Sequence, residues 1–238
     1  PRPRGREWIG LGLVGVIGGS IPFVLFFEGL ARASAPQAAF LHKTLVVWVA
    51  VLAVIVLRER VTLAHVGAIG LLLAGQWLLA DSDGFPMDTG ALLILAATLL
   101  WSAETILAKR LLAGFPSLGL GAVRMGLGSL VLLGWLVASG RLGVLRAMTP
   151  GMWGWALLTG VLLAGYVTCW YAALARAQAV DVTAVLVLGA VVTTLIADGF
   201  RVPVADLSAA IMIASGAGLV AWTMLRPVRA VEPVRPSP

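Results

Sequence analysis

Long apolar runs separated by short polar punctuation dominate this chain. Eight can be drawn, at 8–29, 36–57, 62–80, 89–108, 118–138, 152–174, 179–198 and 206–225. Each is close to the length of about 20 residues with which a helix crosses the hydrocarbon core of a bilayer. None alternates with period two, and in hydrocarbon each backbone N–H and C=O must be satisfied inside the segment, so the pattern predicts helices and not barrel strands. Between the runs stand Ala35-Pro36, Asp81-Ser82-Asp83-Gly84-Phe85-Pro86, Gly114-Phe115-Pro116, Thr149-Pro150-Gly151 and Val202-Pro203. Such combinations mark turns and helix starts. The expected fold is all-α and integral to a membrane, with eight transmembrane helices.

Composition agrees with this and excludes a soluble domain. Of the 238 residues, 60% are hydrophobic and 12% charged, whereas a soluble domain carries about 25% charged residues. The single Cys169, inside an apolar stretch, reads as a small buried hydrophobe without a disulfide partner. The net charge of +6 would suggest nucleic acid in a soluble chain, but placing the charges on the predicted topology changes its meaning. With residue 1 on one side, that side receives Arg2, Arg4, Arg6, Arg58, Arg60, Lys109, Arg110, Arg176, Arg226, Arg229 and Arg235. The other side receives only Arg32, Arg141, Arg146 and Arg201. Lys and Arg favour cytoplasmic loops, so both ends of the chain are expected in the cytoplasm of a multi-pass cell-membrane protein. No nucleic-acid partner is expected.

The chain also aligns with itself. Leu30-Ala31-Arg32-Ala33 reappears 144 positions later as Leu174-Ala175-Arg176-Ala177, and the alignment runs without a gap to the end of the third span. Arg32 and Arg176 fall on opposite sides in the charge-derived topology, so the two copies would be inverted, as in many secondary transporters. Five spans then belong to the second copy, 89–225, and three to the first, 1–80. A loop at 81–88 outside the cytoplasm and a cytoplasmic tail at 226–238 complete the expected division. Two helices preceding Pro1 would balance the halves as five plus five.

Three stretches are similar to the EamA-type branch of the drug/metabolite transporter superfamily. Pro36-Gln37-Ala38-Ala39, then Leu57-Arg58-Glu59-Arg60-Val61-Thr62 through Gly67-Ala68-Ile69-Gly70, resemble the end of that family's first repeat. Leu100-Trp101-Ser102 through Ala108-Lys109-Arg110 resembles the opening of its second. The resemblance implies a ten-helix inverted-repeat transporter, here lacking its first two helices, that moves small metabolites such as amino acids, often outward. His42-Lys43-Thr44 stands where many members carry a proline, and Val202-Pro203-Val204 stands where the Glu-containing loop would recur.

Ionisable residues inside spans are costly and therefore candidates for function. At about 1.5 Å per residue, Lys43 lies roughly 10 Å below the outer surface with His42 beside it. Either Lys43 snorkels outward, or the pair faces the solute path. Glu104 and Arg124 lie toward the cytoplasmic ends of adjacent helices, where they either form a gating or coupling pair or reach the interface separately. Trp48, Tyr166 and Trp170 lie away from the aromatic belts at span ends, and Trp170-Tyr171 aligns with Phe26-Phe27 under the 144-residue shift. The expected substrate-binding set is therefore His42, Lys43, Trp48, Tyr166 and Trp170, with Glu104 and Arg124 as gates.

Other charges read as structural. Glu28 and Arg32 form a favourable i, i+4 pair, Asp181 is a first-turn carboxylate, and Glu59 and His65 are solvated near a loop. Gly15, Gly19, Ala210, Ala214 and Gly218 read as close-packing positions. No zinc-spaced Cys or His pair, phosphate-binding loop or nucleophile–base set is present in the sequence, so neither enzyme activity nor a cofactor is expected. With the midplane nearly free of charge, the expected function is alternating-access transport of a mildly polar organic solute, with export favoured. The outer vestibule would hold His42 and Lys43, and the inner one Glu104 and Arg124. A truncated or non-transporting membrane scaffold is the alternative. The expected partners are the small organic solute and the lipid bilayer; a homodimer stays open.

Overall fold

A computed structural model describes residues 5–79, 86–187, 189 and 207–225, and every regular element among them is a helix. In chain order these are α1 (Gly5–Leu13), α2 (Ile21–Leu30), α3 (Ala35–Lys43), α4 (Leu45–Leu52), α5 (Leu63–Leu79), α6 (Thr89–Leu111), α7 (Ser117–Ala138), α8 (Gly143–Ala147), α9 (Pro150–Leu174), α10 (Ala179–Val185) and α11 (Leu207–Leu225). π-helical turns at Val14–Gly18 and Ala53–Leu57 extend α1 and α4. Five stretches are long and apolar enough to cross a membrane: Glu7–Leu30, Ala35–Leu57, Thr89–Leu111, Ser117–Ala138 and Pro150–Leu174. α5 and α11 supply two shorter apolar helices. Of the run at 179–198, α10 is its described helix, and 190–198 lie outside the described residues. So do Asp81, Asp83, Asp198, Arg201, Val202 and Pro203, and the arginines at both chain ends, Arg2, Arg4, Arg226, Arg229 and Arg235.

The punctuation acts as its chemistry requires. Asp88 accepts the Ala91 N–H at 2.8 Å to start α6, and the Thr149 hydroxyl accepts that of Met152 at 3.3 Å to start α9. Ser34 does the same for Gln37 at the start of α3. Each satisfies a first-turn donor left without a helical acceptor. α8, absent from the run pattern, is a short exposed helix in the turn between α7 and α9.

Of the runs expected to be continuous, one is broken and another is locally tightened. The first run unwinds after the π-helical turn, at Gly19-Ser20, before α2 begins. Pro22, four residues beyond Gly18, has no N–H to offer the Gly18 carbonyl. The second run only tightens at Thr44, whose backbone stays helical with its N–H reaching the Phe40 and Leu41 carbonyls at 3.2 Å each, while its hydroxyl turns back to the Leu41 carbonyl at 2.6 Å. Discontinuous helices expose backbone carbonyls at membrane depth, tolerable only where protein or a cavity surrounds them.

Packing relies on small residues, because lipid offers no hydrophobic drive between helices. A Cβ added to Gly128 of α7 would fall 2.5 Å from the Gly19 oxygen and 2.7 Å from its Cα. Gly15 lies under Leu127 in the same way. The expectation for Gly15 and Gly19 thus acquires its partners on α7. Gly218 meets no neighbour, and Gly216 takes the close contact instead, with Leu72 and the Ala68 carbonyl of α5. On the other side of that crossing Gly75 meets Ile213 and the Ala209 carbonyl, so α5 and α11 run antiparallel.

Charged side chains tie the helix ends together, which corrects the reading of Glu59 and His65 as merely solvated. The Glu59 carboxylate accepts the Ala179 N–H at 3.0 Å on both oxygens, capping α10. The Thr62 N–H donates to His65 Nδ1 at 3.2 Å, leaving His65 Nε2 to donate to Asp181 Oδ1 at 3.1 Å. His65 and Asp181 are both buried. At the same end Lys109 Nζ donates to the Leu174 and Ala177 carbonyls at 2.7 Å each, and Arg110 donates to the Val56 carbonyl at 2.9 Å. At the opposite end Glu28 pairs with Arg32 at 2.9 Å, as expected, and also with Arg141 at 3.2 Å.

Candidate functional site

The break in the first span sets the site. The Gly18 carbonyl accepts two donors from other helices, the Trp101 indole N–H of α6 and Arg124 Nη2 of α7, each at 3.1 Å. Arg124 also lies 5.9 Å over the Tyr171 ring. The Tyr171 hydroxyl in turn donates to Glu104 Oε1. Glu104 is 1% exposed and Arg124 6%. Glu104 of α6 and Arg124 of α7 are joined through Tyr171, whose hydroxyl serves the one and whose ring serves the other. Gly18 keeps them close: a Cβ there would come 2.5 Å from Glu104 Cγ and 3.1 Å from Arg124 Nε.

These groups border a cavity of about 210 Å³ lined by Phe23, His42, Leu45, Trp101, Glu104, Thr105, Arg124, Leu163, Tyr166, Trp170 and Leu186. A second cavity of about 310 Å³ adjoins it through His42, Leu45, Tyr166 and Leu186, and adds Lys43, Val46, Thr183, Val187 and Gly189. Aromatic rings form much of the wall. His42 sits edge-on to Trp101 at 5.1 Å and to Phe26 at 5.5 Å, Phe23 meets Trp101 at 5.2 Å, and Tyr166 stacks on Trp170 at 6.0 Å. His42 Nδ1 and Arg124 Nε are buried without a hydrogen-bond partner.

Six of the seven residues singled out from the sequence border this pair of cavities: His42, Lys43, Tyr166, Trp170, Glu104 and Arg124. Lys43 does not snorkel away; its Nζ donates to the Leu186 carbonyl at 3.2 Å. Trp48 lines neither cavity, and its indole N–H returns to the Thr44 hydroxyl one turn earlier. His42 of the expected outer pair and Glu104 and Arg124 of the expected inner pair line one cavity, which is therefore polar. Trp101, Phe23 and Tyr171 were not singled out as site residues. The signals that point to them are Pro22, which frees a carbonyl, and the 144-residue alignment of Trp170-Tyr171 with Phe26-Phe27.

The EamA-like transporter family model matches residues 1–80 and 88–222. The chain belongs to that family. As an EamA-like protein it is a multi-pass membrane protein, which its five long apolar helices independently support. It is similar to an uncharacterized transporter of Methanothermobacter thermautotrophicus, with 26% identity over 138 residues that make up 56% of this chain and 40% of that protein. The match thus spans less than half of that relative's length. A solved crystal structure of a protein superposes on it with a TM-score of 0.71 at 19% identity, covering 94% of this chain and 80% of the other. That likeness establishes a shared fold.

Proposed function

We propose that this EamA-like protein is a secondary transporter that moves a small organic metabolite across the cell membrane by alternating access, in the direction of export. One observation carries the reading: a polar and aromatic cavity stands where the first span is broken, and two of its lining residues, Arg124 and His42, each carry a buried polar atom without a hydrogen-bond partner. A merely structural polar cluster would satisfy its own groups; this one leaves Arg124 Nε and His42 Nδ1 unsatisfied.

The two halves are 1–80 and 89–225, related by inversion. The α5–α11 crossing supports this, because Leu72 and Gly216, which touch there, are separated by the same 144 positions as the sequence repeat. Equivalent residues meeting in an antiparallel crossing is what a two-fold axis in the membrane plane produces. The Lys and Arg distribution supports placing both chain ends in the cytoplasm. Rocking one half against the other would expose the cavity to each side in turn, with the Glu59–Ala179 and Arg110–Val56 contacts, which join the two halves, forming and parting at the cytoplasmic end. Nothing in this scheme requires a cofactor or a chemical step.

Reconstituting the full-length protein in proteoliposomes and following uptake and efflux of a metabolite panel tests the reading. Saturable flux of at least one solute is expected. Flux equal to that of empty liposomes for every solute would instead favour a non-transporting scaffold.

A further inference from the structure

The charge and hydrogen-bonding pattern of the cavity walls selects among solutes. We propose that the transported solute is a small organic monocarboxylate with an apolar, ring-sized body, bound with its carboxylate on Arg124. This rests on the transport reading above and narrows it.

Arg124 lines the cavity and is 6% exposed as a residue, yet its Nε–H, which packs beside Gly18, has no partner. Leaving a buried donor unpaired costs about 1–3 kcal/mol, and more for a charged group. A carboxylate is the ligand that removes this cost most fully, since guanidinium edges and carboxylates match as parallel donor and acceptor pairs. His42, which lines the same cavity, carries a second buried atom without a partner, Nδ1, in a ring held between Phe26 and Trp101. With the proton on Nδ1 it donates to a polar group of the same guest.

The charge balance separates an anion from a zwitterion. The connected cavities hold Lys43 and Arg124 against Glu104 alone. The Tyr171 hydroxyl and the Arg124 charge already serve the Glu104 carboxylate. The surplus is positive, and protonation of Glu104 would enlarge it. A solute with one negative charge neutralises the site, whereas an added ammonium group restores the surplus. Phe23, Leu163, Trp101 and Trp170 supply flat apolar walls for the remainder. Of the two volumes, about 310 Å³ lies at the small end of ligand sites, which run from roughly 300 to 1,000 Å³, and about 210 Å³ lies below it.

Three probes of one skeleton separate these features: 3-phenylpropionate, phenylalanine and phenethylamine. Equilibrium binding to the full-length protein in nanodiscs of uncharged lipid is expected to be saturable for 3-phenylpropionate. It should be at least roughly tenfold weaker for the other two, about 1.4 kcal/mol. Arg124→Lys keeps the charge but removes Nε–H, and a roughly tenfold loss of 3-phenylpropionate binding is expected. His42→Phe preserves the aromatic packing and tests the same site should Arg124→Lys fail to fold; several-fold weaker binding is expected on loss of one hydrogen bond. Phenylalanine or phenethylamine binding as tightly as 3-phenylpropionate would overturn the proposal. So would unchanged affinity in a folded Arg124→Lys protein. Absence of binding by all three probes, in a protein that still carries another solute in proteoliposomes, would overturn the substrate class and leave transport standing.

Discussion

Arg124 Nη2 donates to the Gly18 carbonyl at 3.1 Å, so α7 holds the first span at the place where that span is broken. The carbonyl is free to accept because Pro22 brings no N–H to it. The same glycine lets Glu104 and Arg124 approach over its Cα. Gly18→Ala is therefore expected to force the two side chains apart, at a cost of about 1–3 kcal/mol for an overpacked site. Transport should fall by at least about tenfold while the protein still reaches the membrane. Flux per molecule in proteoliposomes, normalised to protein incorporated, checks this; unchanged flux would remove Gly18 from the site.

Tyr171 serves Glu104 with its hydroxyl and Arg124 with its ring. Tyr171→Phe retains the ring and removes the donor. A buried acceptor losing its partner costs about 1–3 kcal/mol, so a lower melting temperature in detergent is expected. Tyr166 stacks on Trp170 at the cavity and is 43% exposed. Tyr166→Phe is expected to leave melting within about 0.5 kcal/mol of the parent. Equal losses in the two variants would contradict the distinction.

Glu59 caps α10 from a loop distant in sequence. Glu59→Ala should destabilise the protein by about 1 kcal/mol, the usual magnitude for a lost helix cap. Glu59→Gln keeps a side-chain oxygen for the Ala179 N–H and should lose less. Thermal melting of the three proteins in one detergent gives the comparison, and an Ala variant as stable as the parent would show that the cap contributes nothing.

The α5–α11 crossing can be trapped. With Cys169 first replaced by Ser, Leu72→Cys together with Gly216→Cys should form a disulfide on mild oxidation, since a Cβ at 216 would lie 2.9 Å from Leu72 Cγ. A protease site placed in the loop at 81–88 then separates the halves. The fragments are expected to remain joined until reduced; separation without reductant would contradict the crossing.

Helix positions were legible from the run pattern, as was the start of α9 at the Thr149-Pro150-Gly151 turn, where Thr149 caps; the caps Asp88 and Ser34 were not singled out. The candidate site was legible only along the membrane normal. Counting residues gives depth, and depth separated His42 from Glu104 and Arg124. It says nothing of which way a side chain faces or how far a broken helix lets another approach, and these bring the three onto one cavity. Trp48 and Trp101 show the same limit, both being mid-span tryptophans, one turned to its own helix and one to the cavity. Glu59 and His65 looked solvated because their partners, Ala179 and Asp181, lie more than a hundred residues away.

The central claim is that solute passes through the cavity beside Gly18, and Leu163 offers direct access to it. In a Cys169→Ser background, Leu163→Cys can be alkylated with a bulky maleimide in proteoliposomes while flux of a transported solute is followed. The account predicts that alkylation stops flux and that saturating solute slows alkylation. Full alkylation with flux unchanged would contradict it.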